Sequence, residues 1–372
     1  MENIIHRLDF YLDEPLGSKE SIDQLLTFTQ TNKVAAGIPD DVDLLWFKTQ
    51  PKNLYEHWEY TQKKVLEAVT NPNQIIMFWH ADHFPHLHDY LLDRLNEFSA
   101  SVPNPVLFVV GTLFTTFPTP KNLKFTLAPI MYFEFESKLA WPSFSPFSDK
   151  MKTKKFLSMG TKDYPTRKFI LSNIIRNGLL EQGYVSYKRL NSGALIPRLY
   201  PDGQLADIEA EANLIDHFLP LPELDNSMEY VDMPREFLYN SYLNMVTDTY
   251  YDNNDGCTFL SEKVFNAIGH HQMFIMLSPP HTLAFLKDNG YQTFSDYIDE
   301  SYDSIENNYY RLKAVTDSLI DFINQPIERI HKIYLECKPI LESNMQRFVN
   351  HKFSEKLISE IQRAEYEKTQ IK

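Results

Sequence analysis

Cysteine is almost missing from this chain: only Cys257 and Cys337 occur in 372 residues. That excludes a disulfide framework and an all-cysteine zinc site, and it suits a reducing, cytosolic setting. No apolar run approaches the about 18 residues that a membrane-spanning helix needs, so membrane insertion is not expected. The start, MENIIHRLDFYLDEPLG, lacks the basic-then-apolar order of a secretory signal. Basic residues are outnumbered, with a net charge of -14. This argues against a general affinity for polyphosphate surfaces, although a local basic groove is compatible with it. Glycine is scarce, 11 residues, about 3% against a usual ~7%. With 21 Tyr and 26 Phe, this is the profile of an AT-rich genome, a matter of codons rather than chemistry. No repeat at a period of about 20 to 50 residues is visible, which removes solenoids.

What is present is an ordinary globular composition, 43% apolar and 23% charged, with material for two domains. The first 70 residues mix helical and loop signals around Pro39 and Pro51. The first clear strand is Gln74–Trp79, after the turn-like Asn71-Pro72-Asn73. A helix is expected from near Pro85 through LHDYLLDRLNEF, then a strand at Val106–Val110. Strand, helix and buried strand predict a βαβ unit with a parallel sheet. Phe114 to Asp149 reads as an aromatic loop region with an extended piece at Ile130–Glu134. After the basic cluster Lys150, Lys152, Lys154 and Lys155, the alternation becomes regular.

Strands are predicted at Phe156–Met159, Tyr184–Tyr187, Asn244–Thr249 and Met273–Leu277. Helices are predicted at Pro165–Gln182 with Gly183 as its cap, Ala206–Phe218, Ser261–Ile268 and Pro280–Asp288. Beyond Ser301 the pattern is helical, broken at Pro326 and Pro339, and the charged stretch Phe353–Lys372 is expected to fray. The fold class is therefore α/β, two Rossmann-like lobes with a helical C-terminal extension. The divisions fall at 1–150, 151–303 and 304–372.

Three clusters carry polar chemistry. Ser261-Glu262-Lys263 follows a loop containing Gly256 and opens a helix. A helix start offers unpaired N–H groups, a lysine there can meet phosphate oxygens, and a glutamate can accept from vicinal hydroxyls. Equally, Ser261 is an N-cap with two solvated first-turn neighbours. Thr161–Lys168 follows the strand Phe156–Met159 and carries Lys162, Arg167 and Lys168, a phosphate-facing edge or a basic surface loop. Third, His80, His83, His86 and His88 place four of the chain's 12 histidines between positions 80 and 88, with Asp82 among them. They follow a strand, where parallel sheets place their ligands. The cluster suits a general base, a metal site, or a polar loop that caps the next helix. Its spacing matches no zinc signature such as H-E-x-x-H.

The remaining features have blander readings. His270-His271 ends a helix, where a cation suits the dipole, and His281 stands at another helix start. Asp40-Asp41-Val42-Asp43 only mimics a metal-binding Asp-x-Asp dyad.

Three blocks in order resemble viral and bacterial relatives of the fucosyltransferase-like glycosyltransferases. They are KKFLSMGTKDYPTRKFILSNIIRNGLLEQGYVSY, VTDTYYDNNDGCTFLSEKVFNAIGHHQMFIMLSPPHTLAFLKDNGYQTF and DYIDESYDSIENNYYRLKAV. The resemblance runs from about Lys154 to Val315, under half the chain. It implies a two-lobed GT-B fold with a nucleotide sugar held by the C-terminal lobe. On that resemblance Glu262 binds the ribose, Lys263 the diphosphate, and Arg167 and Lys162 supply further cations. Ser261, Thr247 and Asp248 line the same site. Two departures stand out: Gly160-Thr161-Lys162 replaces an Asn-Arg turn, and Thr247-Asp248 replaces Thr-Glu. A lysine cannot supply arginine's bidentate fork.

The resulting expectation is a metal-independent glycosyltransferase in the cytoplasm, or host cytoplasm if viral or phage-borne. Its donor is a nucleotide-diphosphate sugar, no other cofactor is needed, and Asp82, His83 or His80 serves as base. The acceptor is a glycan or a modified DNA base. Two alternatives remain: a metal-dependent hydrolase built on His80–His88, and a non-catalytic viral binding protein with a degenerate transferase fold.

Overall fold

The computed structural model describes residues 30, 38–39, 41–49, 58–80, 89–110, 113–114, 126–129, 144–160, 165–187, 235–248, 251, 257–258, 260–351 and 353–370. The chain forms two compact units. The first comprises Met1–Ala140, Asp255–Cys257 and His351–Lys372, the second Trp141–Asn254 and Thr258–Asn350. The C-terminal helices are thus shared out, all but the last belonging to the second unit.

In the first unit a parallel sheet runs in the order β1 (Leu44–Thr49), β2 (Ile75–His80), β3 (Val106–Val110), β5 (Thr126–Pro129). The two-residue β4 (Leu113–Phe114) lies outside this sheet. Helices α1 (Trp58–Ala68) and α2 (Asp89–Ser101) connect the first three strands as βαβ units. The sequence reading missed β1, in which Leu44, Leu45, Trp46 and Phe47 are buried in succession rather than in alternation. The aromatic rings of Phe47, Trp58, Phe78 and Phe98 pack together, with Phe78 and Phe98 edge-on at 5.7 Å.

Asp43 is committed to this fold. Its carboxylate accepts from Asn71 Nδ2 at 2.5 Å and Gln74 Nε2 at 2.7 Å, tying the start of β1 to the turn before β2. Asn104 Nδ2 donates to the carbonyls of Asn71 and Gln74, at 2.9 and 2.7 Å.

The last helix, α10 (Phe353–Gln370), does not fray as its composition suggested. It buries Leu357, Ile361 and Ala364 and packs on β3 and β5. Lys368 Nζ donates to the carbonyls of Ser99 and Val102, each at 2.9 Å, completing the end of α2. The charges that suggested fraying do not prevent packing: the apolar stripe 357, 361, 364 follows the helical period, and the buried Glu360 pairs with Lys356 and Arg363.

The second unit is built on a four-stranded parallel sheet in the order β10 (Met273–Leu277), β8 (Ser241–Thr247), β6 (Lys154–Gly160), β7 (Gly183–Tyr187). β8 and β10 are buried along their whole length. Helix α3 (Pro165–Arg176) links β6 to β7, α4 (Arg235–Tyr239) precedes β8, and α5 (Glu262–Gly269) precedes β10. The two-residue β9 (Cys257–Thr258) lies outside this sheet. After β10 come α6 (Thr282–Asp288), α7 (Asn308–Ile323), α8 (Ile327–Glu336) and α9 (Lys338–Asn350). This is an α/β, Rossmann-like arrangement in which the chain order reverses between β6 and β8.

Pro165 opens α3, where its missing N–H costs nothing. The stop is Gly178, at φ +65°, and not Gly183. At Gly183 the backbone is extended, φ −125°, and the residue begins β7. Glycine is needed there for another reason: a Cβ would lie 2.4 Å from Cζ of the fully buried Phe156 ring. Gly183→Ala is expected to destabilise the protein by about 1–3 kcal/mol through overpacking, visible as a lower urea midpoint with unchanged slope.

The expected helix at Ala206–Phe218 and the extended piece at Ile130–Glu134 lie outside the described residues. Of the aromatic loop, Phe147 stacks on Tyr334 at 5.1 Å and Phe144 packs edge-on against Phe348 at 5.2 Å. Both rings are spent on packing. His270 and His271, read as cations at a helix end, are instead buried, and burial lowers both pKa values, that of His270 to about 4. They sit there as neutral rings, and His270 Nδ1 lies 3.0 Å from the Asn266 carbonyl.

At this same end of the strands Lys152 is buried. Its Nζ donates to the Ser241 carbonyl at 2.9 Å and lies 4.6 Å above the Tyr334 ring. Burial pushes the ammonium down to about 7 from 10.5. Between those values the unfolded chain holds a proton that the native state does not, so stability rises with pH across this window. The contribution is complete above the unfolded value and is lost as pH falls through about 7. Lys152→Met is expected to remove this slope, about 1.4 kcal/mol per pH unit at its steepest. Urea unfolding of both proteins at pH 7 and pH 9.5 measures it.

Candidate functional site

In open parallel sheets ligands bind outside the carboxyl ends of the strands, where the strand order reverses. In the second unit that place is the end of β6 and β8. It is closed on one side by α3 and on the other by the first turn of α5.

The α5 end is built from the sequence Leu260-Ser261-Glu262-Lys263. Ser261 has extended backbone angles, φ −82° and ψ 168°, and its hydroxyl accepts from the Lys263 N–H at 3.4 Å. It is the N-cap that its residue type favours. Behind it, Val264, Phe265, Ala267 and Ile268 are buried and anchor the helix. Lys263 Nζ pairs with Glu262 Oε1 at 2.6 Å, and these side chains retain 13% and 27% exposure. They are reachable from outside without being freely solvated.

Asp248, the residue following β8, is 3% exposed. Its Oδ1 accepts from the Ser261 hydroxyl and its Oδ2 from the Ser278 hydroxyl, the latter at 2.5 Å. Its own N–H donates to the Leu277 carbonyl at 3.0 Å. Burial raises its carboxyl to about 6, against the opposing pull of Lys263 and the two serines. On the α3 side, Arg167 is 6% exposed and donates from Nη2 to the Thr247 carbonyl at 3.3 Å. A hollow beside it is lined by Ser158, Met159, Arg167, Leu171, Ser186 and Thr247.

Six residues singled out from the sequence are thereby gathered at one sheet edge. Arg167 touches Thr247, the next residue Asp248 holds Ser261, and Ser261 caps the turn of Glu262 and Lys263. Thr247 and Asp248 contribute from buried positions, as supports of that edge. Lys162, Asp82 and His83 lie outside the described residues, and of His80 only the backbone, at the end of β2, is described. Among the described residues no group of three or more His, Cys, Asp or Glu could hold a metal.

Two supporting residues escaped the sequence reading. Ser278 follows β10 and has no distinguishing neighbours. Arg311, in α7, is 1% exposed. Its Nε donates to the Ser278 carbonyl at 3.0 Å and Nη1 to the carbonyls of Ile305 and Glu306, at 2.7 and 3.0 Å. Nη2 donates to Asn308 Oδ1 at 2.8 Å and to the Tyr251 carbonyl. Its guanidinium thus joins the segments leaving β8 and β10. The signal was there: Arg311 lies on the stripe 311, 315, 319, 322 whose other members are buried apolar residues.

His281 does stand at the start of α6, in a left-handed conformation with φ 64°, but its side chain caps nothing. The cap comes from Asp303, whose carboxylate accepts from the N–H groups of Leu283 and Ala284 at 2.8 and 3.1 Å.

No protein-family model matches the chain, and a search of the curated proteins returns no match. Among the described residues no helix is long and apolar enough to cross a membrane.

Proposed function

We propose that this protein is a glycosyltransferase that moves a sugar from a nucleotide-diphosphate donor to an acceptor hydroxyl, with the donor at the C-terminal edge of the second unit's sheet. The observation that carries this reading is the first turn of α5. It presents a capped helix N-terminus with a lysine and a glutamate, beside the point where the strand order reverses. Anionic diphosphate favours such a terminus through its N–H groups and dipole. Lys263 and Arg167 offset the charge that develops on the departing diphosphate. Glu262 exchanges its pairing with Lys263 for the donor's vicinal hydroxyls.

In the transfer, the acceptor oxygen bonds to the anomeric carbon as the bond to the diphosphate oxygen breaks. The acceptor's proton passes to a base, assigned to Asp82, His83 or His80. With two cations at the diphosphate, the reading needs no metal. A two-lobed GT-B arrangement belongs to the same proposal, as does a glycan or modified-base acceptor.

Calorimetric titration of the whole chain with UDP, GDP, CDP and their common sugar conjugates tests it. Saturable 1:1 binding of at least one is expected. If none binds at any pH between 5.5 and 8, the donor reading is wrong.

A further inference from the structure

The first turn of α5 is held from a distance. An N-cap serine has only to accept from the N–H groups of its own helix start, and Ser261 does this for Lys263. Its hydroxyl also donates to Asp248 Oδ1, and the Ser278 hydroxyl donates to Oδ2 at 2.5 Å. Ser278 is fixed in turn through its carbonyl, which accepts from Arg311 Nε at 3.0 Å. Four hydrogen bonds thus run from α7, through the residues leaving β10 and β8, to the backbone of Lys263. Ser261, Asp248, Ser278 and Arg311 are all buried, none above 4% exposure.

Asp248 is itself anchored on both sides. Its N–H donates to the Leu277 carbonyl at 3.0 Å, and the carbonyl of the preceding Thr247 accepts from Arg167 at 3.3 Å. Hydroxyls donate and accept alike, so the bridge between the two serines stands in either protonation state of Asp248. The path fixes a position and does not switch one.

We propose that Ser278 and Arg311 are positioning residues for the diphosphate site: without contact to the ligand, they set the affinity at Lys263 by holding the first turn of α5 against the ends of β8 and β10. This rests on the donor reading. A diphosphate draws on Lys263 and on the helix N–H groups together, and both converge on it only while the turn keeps its place. A turn held beforehand costs nothing to order on binding, whereas a loosened one does. Helix α7 thereby acts on the donor site without lining it.

Ser278→Ala removes one arm of the bridge and no charge. Calorimetric titration of the full chain with UDP, GDP, CDP and pyrophosphate is expected to show about three- to tenfold weaker binding in this variant, the worth of one hydrogen bond. A general loosening of the fold would also weaken binding, so the decisive reading is a double-mutant cycle with Lys263→Ala. If Ser278 acts through the turn that carries Lys263, its loss costs about twofold or less once that lysine is gone. Equal losses in both backgrounds overturn the proposal, as does unchanged affinity in Ser278→Ala. If that variant does not fold, Arg311→Lys, which keeps the charge but not the Nε donor, takes its place in the same cycle.

Hydrogen exchange of the ligand-free proteins separates the path from the donor reading. Exchange over residues 262–267 should quicken in Ser278→Ala, while α8 exchanges as in the wild type. If none of the four ligands binds the wild type and this local response is present, the hydrogen-bonded path stands, and the donor reading fails together with the claim on affinity. If a ligand binds and residues 262–267 exchange at the wild-type rate in Ser278→Ala, the donor reading stands and the positioning role fails.

Discussion

Replacing Arg311 by methionine is expected to cost about 4 kcal/mol or more of stability, the largest single loss at any described position discussed above. The guanidinium is 1% exposed and meets acceptors at Tyr251, Ser278, Ile305, Glu306 and Asn308. Methionine fills much of its volume but supplies no donor. Several buried carbonyls then lose their partner, at about 1–3 kcal/mol for each that water cannot reach. Arg311→Lys keeps the charge but offers three donors on a point-like group in place of five in a planar fork. It should fall between wild type and methionine, at about 1–3 kcal/mol. Equilibrium urea unfolding measures both. Wild-type stability in Arg311→Met would mean that the clamp contributes nothing net. The losses should also appear as faster amide exchange at the ends of β8 and β10, which the side chain joins.

Lys263→Ala is expected to weaken nucleotide-diphosphate binding by about ten- to a hundredfold, the loss of one charge-assisted hydrogen bond worth about 1.5–3 kcal/mol. The fold should survive, because the side chain retains 13% exposure and pairs with the neighbouring Glu262. Lys263→Arg should restore most of the affinity, since the charge remains. The same substitution to alanine removes the cation that favours ionised Asp248, so that carboxyl should rise further. Calorimetry with the best-binding diphosphate from the panel, on all three proteins, separates these effects. Unchanged affinity in Lys263→Ala would move the diphosphate away from the first turn of α5.

Much of this could be seen in the order of residues alone. The apolar runs at 75–79, 106–110 and 273–277 are parallel strands because no polar side chain interrupts them and turn residues bound them. Ser261 is an N-cap because serine oxygen can accept from the N–H groups a helix start leaves open, and its position before Glu-Lys-Val-Phe marks that start. Pro165 and Gly290 mark helix ends through backbone geometry that any chain must obey; Gly290 has φ +83°. These features are local, set by a residue and its near neighbours.

What the sequence could not show depends on which segments meet. β1 was overlooked because LLWFKT has no alternation, and a run of only four apolar residues becomes a strand only when a neighbour, here β2, supplies its hydrogen bonds. Composition marked residues 353–372 for fraying, yet a surface made by β3 and β5 covers the stripe Leu357, Ile361 and Ala364. His270 and His271 read as cations at a helix end until burial, a property of the packed unit, made them neutral. Asp248 and Ser278 are separated by thirty positions and by two strands and a helix, and nothing in either residue's neighbourhood announces the other. The sequence by itself determined the α/β alternation, the helix starts and the residues able to carry charge. The tertiary structure alone decided which of those charges are buried, because desolvation and hydrogen-bond partners arise only when distant segments exclude water from one another.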